Sequence, residues 1–171
     1  MSLIKQEDFI QSVADALQYI SYYHPEDYIV ALGEAYVREQ SPAAKDAIAQ
    51  ILTNSRMCAE GKRPLCQDTG IVVAFVKVGM QVQWDAQLDI TQMVNEGVRR
   101  AYLLPENKLR ASIVNDPAGK RANTRDNTPA VVHVELVGLR AVGEQDLEEP
   151  VAVDGDVVLV ARRDDVALRE L

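Results

Sequence analysis

Cysteine is scarce in this chain: two, Cys58 and Cys66, among 171 residues. A chain of this length builds a core without disulfide staples, so both read as reduced thiols. The opening MSLIKQEDFIQ lacks the basic start and apolar block of a secretory signal. No apolar run is long enough to span a bilayer. A reducing, cytoplasmic setting is the expectation. Histidine is equally sparse, with His24 and His133 alone, and neither lies near an acid motif. A Ser-His-Asp or Cys-His nucleophile therefore has little support. Neither a GxGxxG nor a Walker pattern occurs, and there is no internal repeat or low-complexity tract. Basic charge is in deficit, with a net charge of −8. That opposes partnership with nucleic acid or an anionic membrane.

Apolar residues are present in quantity, at 47% of the chain. That is enough for a core in one domain or two small ones. Residues 5–23 place Phe9, Ile10, Val13, Ala14, Leu17 and Ile20 at helical spacing, and His24-Pro25 ends the pattern. A second helix is expected over about 26–39. Ser41-Pro42 starts a third, which ends near Gly61. IVVAFVKVG is apolar on both faces and reads as a buried strand. MQVQW alternates and can pair with it as a hairpin through Gly79. DITQMVNEGVRRAYL is a helix with Ile90, Met93, Val94, Val98 and Tyr102 inward, and Gly97 inside it signals close packing. Residues 115–129 are dense in turn formers and read as a long loop. AVVHVELV is the next strand. VAVDGDVVLVARRDD carries a hairpin signal at Asp154-Gly155. The expectation is an α+β fold: an N-terminal helical layer, then a mixed β-sheet flanked by helices. It divides into a helical segment over 1–62, a sheet-containing part over 63–137 and a tail over 138–171.

The chemistry-bearing candidate is RPLCQDTG, at positions 63–70. A lone cysteine is most often a small buried hydrophobe, and Asp68-Thr69-Gly70 explains a turn. Neither accounts for Gln67 and Asp68 behind a cysteine at a loop-to-strand junction, where functional groups tend to be held. One cysteine is not a complete metal site. His133, in mid-strand, reads as a half-exposed strand residue. Arg99 and Arg100 suit a helix C-terminus. Arg110, in KLRAS, stands beyond that helix, where a guanidinium could grip a carboxylate in bidentate fashion. Lys120, Arg121 and Arg125 read as a solvated loop.

RPLCQDTGIVVAFVKVG, MVNEGVRRAYLLPENKLRAS and KRANTRDNTPAVVHVELV, in that order and spacing, resemble class I fumarate hydratase, the iron–sulfur fumarase. The related alpha subunit of L-tartrate dehydratase shares much of this region. The resemblance covers roughly residues 4–137. It implies a hydro-lyase interconverting fumarate and L-malate, or a similar hydroxy diacid, with a [4Fe-4S] cluster in the complete enzyme. By resemblance Cys66 matches the first cluster cysteine, Gln67 and Asp68 match substrate contacts, and Arg110 matches the arginine that holds a substrate carboxylate. Asp68 is also the candidate acid or base. The implied partners are a small dicarboxylate and the remainder of the enzyme or a complementary subunit. The complete enzyme is implied to be a homo-oligomer.

The chain departs from the family after its AVVHVELV strand. GLRAVGEQDLEEP stands where the family has a glycine-rich segment, and two further cluster cysteines have no counterpart here. The chain alone is therefore expected not to retain the cluster and to be inactive. The alternative is a non-catalytic remnant or binding domain that keeps the signature without a cluster.

Overall fold

The computed structural model describes residues 3–67, 70–106 and 109–137, and the backbone of one strand at 156–161. It contains β1 (Leu3–Lys5), α1 (Gln6–Tyr22), α2 (Glu26–Arg38), α3 (Pro42–Gly61), β2 (Val73–Gly79), β3 (Gln83–Asp85), α4 (Ile90–Leu103), β4 (Val114–Asn115), β5 (Ala122–Asn123), β6 (Val131–Val137) and β7 (Asp156–Ala161). The class is α+β. The chain forms two compact units, one of residues 1–18 with 68–171 and the other of residues 19–67.

The larger unit is built on an apolar face of α1. Phe9, Ile10, Val13, Ala14 and Leu17 are all buried. Opposite lie Met93, Val94, Gly97, Val98 and Ala101 of α4. The close approach expected at Gly97 is present, because a Cβ there would stand 2.6 Å from the Val13 Cβ and 2.8 Å from the Ile10 carbonyl oxygen. Arg100 ties the same two helices by donating to the Glu7 carboxylate and to Gln11 Oε1. Asp89 and Gln92 form a reciprocal capping box that starts α4. Ile90 and Tyr102 are half-buried rather than fully inward.

β2 is the middle strand of a three-stranded sheet in the order β6-β2-β7, parallel at both pairings. Val73 lies opposite Val131, and Phe75 opposite His133. Two expectations change here. β2 is not buried on both faces: Ala74, Val76 and Val78 face the core, but Phe75 is 40% exposed. Nor does MQVQW fold back on β2. Both edges of β2 are already occupied, and Met80 N donates to Val137 O of β6. After a turn closed by Val82 N donating to Gly79 O, β3 pairs instead in parallel with β1, Leu3 against Gln83. Phe9 meets Trp84 edge-on at 5.4 Å, which fixes α1 to that small sheet. The expected long loop also contains a short antiparallel ladder, β4 against β5. Its turn has left-handed backbone at Asp116 and Arg121. The Asp154-Gly155 hairpin signal, with most of the tail, lies outside the described residues.

The smaller unit is helical. Ser41 caps α3 by accepting from Ala44 N, Pro42 occupies the first turn, and left-handed Lys62 ends the helix. Lys45 lies over the Tyr36 ring at 4.8 Å. No residue of α2 is buried, whereas α3 buries Ser55 and Cys58.

Candidate functional site

The RPLCQDTG segment leaves α3 under tight control. Leu65 N donates to Ser21 O at 2.9 Å, and Asn54 Nδ2 donates to Leu65 O at 3.1 Å. The Cys58 thiol contacts Asn54 Oδ1 and Pro64 O, at 3.6 and 3.4 Å. Cys58 is therefore a buried structural thiol that holds Pro64, while Asn54 and Ser21 hold Leu65, the residue before Cys66. Cys66 itself is exposed, as is Gln67, and the cysteines form no disulfide. Asp68 and Thr69 lie outside the described residues.

Arg110 belongs to the larger unit and is also exposed. Its neighbours are pinned. Leu109 is buried, Asn123 Nδ2 donates to Ala111 O at 2.8 Å, and Thr124 N donates to Ile113 O at 2.9 Å. Asn127 accepts from the amides of Ser112 and Ile113 and donates to Gly70 O. The structure thus joins the last residue of CQDTG to the strip that follows Arg110. Cys66 and Gln67 fall in the helical unit, and Gly70 and Arg110 in the other. Asn127 and Asn54 had no signal in the sequence beyond their residue type. Each looks like an ordinary turn or helix-surface asparagine until its hydrogen bonds are seen.

Two further charged candidates, Arg99 and Arg100, are held in ion pairs. Arg99 bonds Glu96 and Asp126, and Arg100 bonds Glu7. Burial pulls the Asp126 carboxyl upward, but hydrogen bonds from Thr128 and Arg99 outweigh it and hold the group below the usual aspartate range. Arg99, Glu96, Asp126 and Thr128 line an open cleft of about 500 Å³ with Gln92 and Asn95. His133 is exposed and stacks on Phe75 at 4.9 Å. His24 meets the Tyr28 ring at a 30° tilt with centroids 4.5 Å apart, and burial lowers its pKa. Among the described residues no group of three or more His, Cys, Asp or Glu side chains converges on a metal position. Among them, too, no helix is long and apolar enough to cross a membrane.

An α+β scaffold that presents a tethered, exposed cysteine and a pinned arginine strip is the class the geometry defines. The chain belongs to the fumarate hydratase family, whose sequence model, described as Fumarate hydratase (Fumerase), matches residues 10–148. It is also similar to a putative L(+)-tartrate dehydratase subunit alpha of Methanocaldococcus jannaschii, at 34% identity over 103 residues. That alignment takes in 60% of this chain and 35% of the relative, so the chain spans about a third of the length of the relative it matches.

Proposed function

We propose that this chain contributes one part of a hydro-lyase acting on fumarate and L-malate, or on a similar hydroxy diacid such as tartrate. The observation that carries the reading is the family match over residues 10–148, which includes CQDTG; α1 and α3 tether Leu65, just ahead of the exposed Cys66. In this reading Arg110 offers paired N–H donors to one substrate carboxylate. Gln67 is assigned a hydrogen bond to the substrate. Asp68 orients the hydroxyl or moves its proton.

A [4Fe-4S] cluster belongs to the same reading only for a larger assembly. Cys66 is suited to hold one corner, because it is exposed and its segment is fixed. Cys58 is not suited, since it is buried with its thiol engaged. A single thiolate falls short of the cysteine set that retains such a cluster. A complementary subunit, or further sequence of the same enzyme, supplies the other thiolates in this proposal; the alpha-subunit relative favours the former. When bound, the cluster supplies a Lewis-acidic iron with an open position. The chain's residues bind and orient the diacid around it.

Anaerobic reconstitution with iron counting and a fumarate hydration assay tests this. The chain alone is expected to hold no stoichiometric cluster and to show no turnover. Cluster and turnover should appear on addition of the complementary polypeptide, and Cys66→Ser should abolish both. A cluster and turnover from this polypeptide by itself would refute the proposal. No activity with any complementary polypeptide would favour a non-catalytic remnant.

A further inference from the structure

Asn127 is fully buried and has left-handed backbone, φ 59°. Its carboxamide serves three backbone groups. Oδ1 accepts from Ser112 N at 2.9 Å and from Ile113 N at 3.4 Å, while Nδ2 donates to Gly70 O at 3.2 Å. Three of the four hydrogen bonds that a carboxamide can make are thereby used on two segments remote in sequence. One of those segments ends CQDTG. The other begins two residues after Arg110.

Asn127 is itself held firmly. On one side Asp126 pairs with Arg99 of α4 and accepts from Thr128 N and Oγ1. On the other, Ala130 N donates to Asn95 Oδ1, also on α4, at 2.8 Å. α4 is seated on α1 through Gly97. A continuous path of contacts therefore leads from the core to Gly70 and Ser112, and Asn127 is the branch point.

We propose that Asn127 is a positioning residue: it sets the backbone of the strip that follows Arg110 against the glycine that closes CQDTG, and so fixes the place from which Arg110 meets a diacid carboxylate. This rests on the reading of Arg110 as the carboxylate-binding group. Asn127 never touches the substrate in this scheme. It lowers the cost of ordering the strip on binding.

The test uses the 15N-labelled full chain as wild type, N127G, N127D and R110A, each shown to unfold cooperatively. Glycine suits the left-handed backbone, so N127G deletes the side chain without adding strain. N127D keeps the acceptor for Ser112 and Ile113 but loses the donor to Gly70. Amide exchange and titration with fumarate and L-malate are the readouts. In N127G, exchange at Ser112 and Ile113 should quicken by about tenfold or more, and diacid affinity should fall about tenfold. Val94 and Val98 in α4 should exchange as in the wild type. N127D should restore protection at Ser112 and recover part of the affinity. R110A should lose at least as much affinity as N127G. Wild-type affinity in N127G, with affinity lost in R110A, overturns the positioning role and leaves the diacid reading standing. Wild-type behaviour in R110A, or no saturable binding by the wild type, overturns the diacid reading. The tether is then judged on exchange, where an unchanged Ser112 in N127G overturns it.

Discussion

Cys58 and Cys66 sit close together in the sequence with nothing to tell them apart except neighbours, yet burial separates them completely. Cys58 is 6% exposed and bonded to Pro64 O and Asn54, while Cys66 is exposed. A thiol reagent applied to the native chain should therefore modify one cysteine rapidly, and the second only after denaturant is added. Mass mapping that finds Cys58 modified first would contradict this arrangement. Asp126 gives a second residue-scale prediction. Its folded-state pKa is lowered, so its contribution is fully present above the unfolded aspartate value of about 3.9 and is lost as pH falls through the lower folded value. Asp126→Asn should be less stable than the wild type in urea at pH 7, and the two midpoints should converge as acidification carries the pH below the unfolded aspartate value and through the lower folded one. Legibility at this scale follows chemistry. The loop-to-strand placement of Cys66 could be read because its polar neighbours have no use in a core. The branch point at Asn127 could not, because an asparagine among turn formers looks the same whether it faces water or three backbone groups.

The helices were legible almost to the residue, since each carries its own stop and start: His24-Pro25 after α1, Ser41-Pro42 before α3 and Asp89 before α4. Strand partners were not, because pairing depends on which edges other strands have already taken. The hairpin suggested by Gly79 fails for that reason, and β3 goes to β1. Two element-scale predictions follow from α4. Gly97→Val should destabilise the chain by about 1–3 kcal/mol or more, because the new side chain would overlap Val13 and the Ile10 carbonyl. Asp89→Ala should cost about 1 kcal/mol through loss of the capping box. Urea titrations report both, and a wild-type midpoint for Gly97→Val would mean that α4 is not seated on α1 as described.

At the scale of the whole molecule, the family match runs from residue 10 to 148 and so takes in parts of both units. Much apolar surface nevertheless stays open. Val37 on α2, Met57 on α3 and Leu136 on β6 are 73%, 60% and 69% exposed. Association through such side chains is the outcome expected of a chain that matches a third of a longer relative. The chain should associate with rising concentration in sedimentation velocity, and a charge at Leu136 on the outer strand should reduce that. The joining of the N-terminal segment to distant chain has a consequence for biosynthesis. Gln6 accepts through Oε1 from the amides of Gln87 and Leu88, 81 and 82 positions further on, and β1 has its partner in β3. On a ribosome adding roughly 5–20 residues per second, the first strand is made roughly 4–16 s before the strand it pairs with. During that interval the oily stripe headed by Phe9 and Ile10 is bare, and a chaperone has its best opportunity to hold the nascent chain.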